Sequence, residues 1–152
     1  MESPFFPGMN KDPETEAEWF SALINLTRFL RSPEGCPWDR EHNAGDFARF
    51  SVEEGEELTE ALASGDNSHA EEEFGDCLFT LLSCVAAAEA EARFSLKGAL
   101  QRAHMKMMRR HEHVFRKDRA RTPEEAMQAW QQIKKQEKAE KNTGTEPKEI
   151  GS

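Results

Sequence analysis

Apolar positions recur at helical spacing along nearly the whole chain. Trp19, Ala22, Leu23, Leu26 and Leu30 predict a first helix over about 13–30, with Asp12 as N-cap and Pro13 at the first helical position. The stretch "SPEGCPWD" (32–39) breaks it with two prolines and a glycine. Phe47, Phe50, Leu58, Ala61 and Leu62 share one face of a second helix, about 45–63, which ends at "SGDNS". A third, about 69–91, opens on a capping box of Ser68 and Glu71 and lines up Phe74, Cys77, Leu78, Leu81, Val85 and Ala88 as its core face. Phe79 and Leu82 fall outside that stripe. A helix apolar over so much of its girth, in a chain this short, asks for a partner subunit.

A fourth helix, about 95–110, carries Leu96, Leu100, Ala103 and Met107. "TPEE" (122–125) opens a fifth with Thr at the cap, Pro at the first position and Glu at the third, followed by Ala126, Ala129, Trp130 and Ile133. Strand-like alternation and internal repeats are missing from the pattern. The expected fold is all-α, a bundle of about five helices whose core is completed by dimerisation. The expected organisation is an extension over 1–12, one domain over 13–140 and a polar, disordered tail over 141–152.

Composition narrows the class. A length of 152 residues suits one domain, and a mean hydropathy of −0.81 with short apolar runs leaves nothing near the roughly 20 apolar residues of a membrane span. The start "MESPFFPGMN" lacks the pattern of a signal peptide. Cys36, Cys77 and Cys84 are odd in number and lack C-x-x-C spacing, which argues for a reducing cytoplasm and against a disulfide framework or zinc site. The net charge of −9 conceals an asymmetry: residues 1–92 hold 21 acids and 5 bases, residues 93–152 hold 8 acids and 15 bases. An acidic half and a basic half suit a ligand carrying metal at one end and phosphate at the other. Two solvated surfaces that attract each other would show the same imbalance.

The acids are oddly placed. "EEGEE" (53–57) and "EEEFGD" (71–76) lie inside helices with apolar faces. At 100° per residue Glu54 falls in the middle of the second helix's apolar stripe and Glu57 at its edge, while Glu53, Glu56 and Glu60 face solvent. On the third helix Glu73 and Asp76 flank the core face, again one turn apart. Carboxylates at this spacing have Cβ atoms about 5–6 Å apart, and like charges about 4 Å apart repel by about 4 kcal/mol at an effective dielectric near 20. A divalent cation between the helices would remove that penalty. With oxygen ligands only, and no His or Cys at matching positions, the donor set points to Mg²⁺ or Mn²⁺ rather than to the Glu-x-x-His pairs of a di-iron bundle. Neutralisation by Lys or Arg is the alternative, and the second helix is poor in bases.

These residues resemble a known family. Glu53-Glu54-x-x-Glu57 followed by Glu73-x-x-Asp76 resembles the E-E-x-x-E … E-x-x-D signature of the MazG-type nucleoside triphosphate pyrophosphohydrolases. "CPWDRE" (36–41), "KMMRRHEHVF" (106–115) and "WQQIKKQEK" (130–138) are similar to the family's other blocks, in order, over about 20–140. His111-Glu112-His113 stands where the family usually has His-Pro-His. The resemblance implies an all-α dimer, or a tetramer, that hydrolyses a nucleoside triphosphate to the monophosphate and pyrophosphate as nucleotide-pool housecleaning. It implies Mg²⁺ held by Glu54, Glu57, Glu73 and Asp76, phosphates met by Lys106 and Arg110, and Trp130 near the nucleotide. Glu53, beside the metal pair, is the candidate for activating water. Trp38 is a candidate for stacking on the base, or else a turn residue packed on the bundle.

Other readings are plainer. His111 and His113 fit a helix end better than a metal. His69 reads as a surface residue of a first helical turn, Met105, Met107 and Met108 as packing, and Cys77 and Cys84 as small apolar residues. A pyrophosphatase restricted to one nucleotide such as dUTP is the nearest enzymatic alternative. A non-catalytic helical module, binding nucleic acid through the basic stretch 106–121 or binding another protein, is the alternative of another class. Against nucleic acid stand the few aromatics of that stretch and the acidic first half.

Overall fold

Thr15, not Asp12, opens the first helix of the computed structural model, which describes residues 12–144. Helix α1 spans Glu16–Leu30; the Thr15 hydroxyl accepts from the Glu18 amide and the Glu18 carboxylate accepts back from the Thr15 amide, a capping box that outcompetes the Asp-Pro start. The remaining helices are α2 (Pro37–Glu41), α3 (Ala44–Ser64), α4 (Asn67–Ala90), α5 (Leu96–Arg110), α6 (Glu112–Phe115) and α7 (Pro123–Thr143). The described residues hold no strand. The fold is all-α, as expected, and the two helices beyond the expected five are the short α2 and α6, of 5 and 4 residues, too brief for a periodic stripe. Of the expected extension 1–12 and tail 141–152, residues 1–11 and 145–152 lie outside the described residues; α7 continues to Thr143, into the stretch expected as tail.

The chain divides into two units, one through Leu96 and one from Lys97. In the first, α3 and α4 form a tight hairpin. Asn43 and Asp46 make the capping box that starts α3, and Gly65 ends it at φ +79°, a left-handed conformation that costs a glycine nothing. Asp66 caps α4 by accepting from the His69 amide, displacing the expected Ser68 box by two residues. With only Gly65 and Asp66 between them, the helices run antiparallel.

The seam between them follows alternating spacings of three and four: Ala44, Phe47, Ser51, Glu54, Leu58 and Ala61 on α3, and the mostly small residues Ala70, Glu73, Cys77, Thr80, Cys84 and Ala87 on α4. The Cys84 thiol reaches the Ala44 carbonyl at 3.2 Å and the Cys77 thiol the Ser51 carbonyl at 3.8 Å, which marks the register. Ala44, Phe47, Ala87 and Ala88 form the buried cluster, with Phe50 and Cys84 packed on it.

This seam corrects part of the expected core face of α4, of which Cys77 lies on the seam and Ala88 is buried as expected. Phe74 and Leu81 are 60% and 48% exposed, and Leu62 of α3 is exposed too, whereas Glu73, Thr80 and Ala87 are buried. Small side chains let the two backbones approach closely, so the hairpin closes on them, and the bulkier stripe lies about 100° round the helix. Trp19 is exposed as well.

Two acids near the end of α4 tie this unit together. Glu89 receives both Nε and Nη2 of Arg28 on α1, each at 3.0 Å, and the Leu96 amide at 3.0 Å. Glu91 accepts from the Ala44 amide at the start of α3, at 2.8 Å. In the second unit, Thr122 caps α7 as expected by accepting from the Glu125 amide, and Glu137 of α7 pairs with Arg109 and Arg110 of α5.

Candidate functional site

Three residues along α3 from the Ser51–Cys77 contact stands Glu54, and four residues back along α4 stands Glu73. The hairpin register therefore carries the acids of both helices to the same level. Glu54, Glu57 and Glu73 each offer a carboxylate oxygen within 4.8 Å of the others. Glu73 is only 6% exposed. Glu54 is half-buried, Glu57 is exposed, and neither accepts a hydrogen bond from the described residues. Burial, and then the charges of Asp76, Glu57, Glu73 and Glu53, push the Glu54 carboxyl above its ordinary value. A carboxyl held back from ionisation by burial and by its neighbours' charges suits a cation. The cluster's donors are all oxygen, which fits a hard divalent ion.

Asp76 and Glu53 stand beside this trio rather than inside it. Both are exposed on their helices, and each is close enough to raise the Glu54 pKa. His69 occupies the third helical position of α4, as the plain reading of a surface residue had it. However, its Nε2 lies 2.6 Å from Oε1 of Glu73. Spacing alone places this contact at i, i+4 but does not favour it over the solvent-facing rotamers of an exposed histidine.

Trp38 belongs to an aromatic group of the first unit. Its ring stacks on Phe50 at 5.7 Å and lies 4.0 Å from His42, and Phe47 meets it edge-on at 6.0 Å. Trp38 lies in α2 rather than in a turn, and its indole is 51% exposed, so it is both packed on its aromatic neighbours and an open aromatic surface.

The basic residues sit in the second unit. Lys106, Arg109 and Arg110 with Glu137, Glu140 and Lys141 line a cleft of about 80 Å³. The Arg110 guanidinium carbon lies 5.4 Å from the Trp130 ring, a cation–π contact. Burial opposes ionisation of Glu137, but the hydrogen bonds and charges of Arg110 and Arg109 outweigh it and hold the carboxyl below its ordinary value. His111 takes the expected helix-end place: its Nδ1 donates to the Met107 carbonyl at 2.7 Å, and its ring meets Trp130 edge-on at 4.9 Å. The carboxylate pairing of Arg110 was missed from the sequence; Glu137 lies 27 residues away, beyond any local pattern.

An antiparallel hairpin of two long helices with convergent carboxylates on its seam defines an all-α protein with an acidic cluster between two helices. Residues 46–115 match the MazG nucleotide pyrophosphohydrolase domain, and the chain belongs to that family. It is 36% identical over 120 residues to the nucleoside triphosphate pyrophosphohydrolase of Escherichia coli K12, covering 78% of this chain and 46% of that protein. It is 32% identical over 124 residues to the nucleoside triphosphate pyrophosphohydrolase/pyrophosphatase MazG of Thermotoga maritima, covering 82% of this chain and 47% of that one. The crystal structure of a mazG-related protein from Thermotoga maritima superposes with a TM-score of 0.65 at 29% identity, over 78% of this chain and 98% of the other. The chain spans half or less of the curated relatives it matches. Among the described residues no helix is long and apolar enough to cross a membrane.

Proposed function

We propose that this chain hydrolyses nucleoside triphosphates to the monophosphate and pyrophosphate, using Mg²⁺ or Mn²⁺ held by Glu54, Glu57, Glu73 and Asp76. The observation that carries the reading is the convergence of Glu54, Glu57 and Glu73 within 4.8 Å, inside the segment that matches the pyrophosphohydrolase domain. The names of the relatives support it. A divalent cation in such a site neutralises phosphate oxygens and orients water. The chain's own part is electrostatic. Glu53 accepts the proton of the attacking water. In the second unit, Lys106 and Arg110 carry positive charge of the kind that offsets charge developing on a pyrophosphate. Trp38 in the first unit and Trp130 in the second are each, taken separately, a flat apolar surface suited to a base.

We read the working form as a homodimer, in the cytoplasm. The support is the uncovered apolar stripe of Phe74 and Leu81 on α4, beside a monomer core in which Phe47 is the large side chain fully enclosed. Removing that stripe from water is worth about 25 cal/mol per Å².

A panel of ribo- and deoxyribonucleoside triphosphates with Mg²⁺, read by pyrophosphate release, tests the activity and selects the base. Hydrolysis in ¹⁸O-water fixes the bond that breaks. Label in the monophosphate is expected, from attack at the α-phosphorus. Label in pyrophosphate, orthophosphate as first product, or full turnover in EDTA each overturns the reading.

A further inference from the structure

The geometry points to His69 as a positioning residue that sets the Glu73 carboxylate for cation binding, an inference resting on the cation site proposed above. A carboxylate only accepts, so the 2.6 Å contact is an Nε2–H donation from His69 to Oε1 of Glu73. That bond occupies one lone pair of Oε1 and leaves the carboxylate's remaining lone pairs for the cluster with Glu54 and Glu57. The two partners differ in freedom. The His69 side chain is 50% exposed, whereas that of Glu73 is 8% exposed. A nearly buried carboxylate without a donor would bear the full desolvation cost, and its rotamer would drift towards water.

The backbone of His69 is anchored as well. Its amide donates to Oδ1 of Asp66, the N-cap of α4, at 3.1 Å. A cap, a histidine and a carboxylate thus stand in sequence over the first two turns, and the cap fixes where the imidazole starts from. The result is an outer partner that orients a ligand, the role such residues commonly play around metals. Glu54 and Glu57 accept no hydrogen bond from the described residues, so Glu73 is the member of the trio held in advance.

The test is Mn²⁺ binding to the full chain, measured by calorimetry without nucleotide, for the wild type, His69→Leu, His69→Gln and Glu73→Gln. Glutamine places an N–H donor near the Nε2 position and leucine has none. His69→Leu is expected to weaken Mn²⁺ binding about tenfold, with helix content unchanged by circular dichroism, and His69→Gln to bind within about twofold of wild type. A merely structural histidine would lower the melting temperature and leave Mn²⁺ affinity alone. Wild-type affinity in His69→Leu, with binding lost in Glu73→Gln, overturns the role of His69 and leaves the cation site standing. Equal loss in the Leu and Gln variants overturns the donor bond. Wild-type affinity in both His69→Leu and Glu73→Gln removes the cation site and the inference with it.

Discussion

Arg110 donates through Nε and Nη2 to one oxygen of Glu137, at 3.1 and 2.8 Å. The same carboxylate takes Arg109 on its other oxygen at 3.2 Å, so two guanidinium groups share one acid and positive charge is left over. Glu137 thereby holds Arg110 against Trp130 while leaving it charge with which to meet an anion. Glu137→Ala frees both arginines and should raise KM for the nucleotide about tenfold, with a smaller effect on kcat. Steady-state kinetics check the split; an unchanged KM removes Arg110 from substrate binding. Lys106→Ala should lower activity without altering Mn²⁺ affinity.

Glu54 should be worth more to activity than to the fold. Its raised pKa means that ionisation costs the folded chain more than the unfolded one. Without metal, stability therefore falls as pH rises from the ordinary carboxylate range through the raised value. Glu54→Gln should abolish turnover yet raise the melting temperature in EDTA at pH 7. That advantage should vanish below the ordinary carboxylate range. Thermal scans against pH check the sign.

Glu89 runs the other way. The Arg28 hydrogen bonds, with the Leu96 amide and the Arg28 charge, hold its carboxyl below the ordinary value against the cost of burial. The stability it contributes is present above the ordinary carboxylate range and is lost as pH falls through the lowered value. Because Arg28 is 48% exposed, Glu89→Gln should cost about 1 kcal/mol at pH 7. The gap from wild type should close in acid, which urea unfolding at several pH values would show.

Gly35 stands where the chain leaves α1, and a Cβ there would collide with the carbonyl oxygens of Phe29 and Leu30. Those are backbone atoms, and the Leu30 carbonyl already accepts from the Cys36 amide at 2.8 Å. Gly35→Ala should cost about 3 kcal/mol, read by denaturant unfolding.

Phe74→Glu should disrupt self-association, because it places a charge on the exposed stripe of α4 without touching the seam to α3. Light scattering at micromolar concentration checks it: the wild type is expected at the mass of a dimer or more, and the variant at that of a monomer.

Helix identity was legible along the chain because its causes are local. Periodic apolar residues mark α1, α3, α4, α5 and α7, and the Thr-Pro-Glu-Glu start of α7 contains the atoms that cap it. The inward turn of Glu54 was legible for the same reason: its place on the wheel depends only on its neighbours in α3. Which stripe of α4 would meet α3 was not local. Apolar bulk singled out Phe74 and Leu81 beside Cys77, whereas close backbone approach favoured the smaller residues Ala70, Thr80, Cys84 and Ala87 together with Cys77. That choice moved the buried face towards Glu73 and brought its carboxylate to Glu54 and Glu57 across a register set by the Gly65–Asp66 turn. The partners of Glu73 and Arg110 were decided there too. A rotamer on an exposed histidine, or a carboxylate 27 residues distant, is selected by what stands beside it in space, and local periodicity carries no record of that.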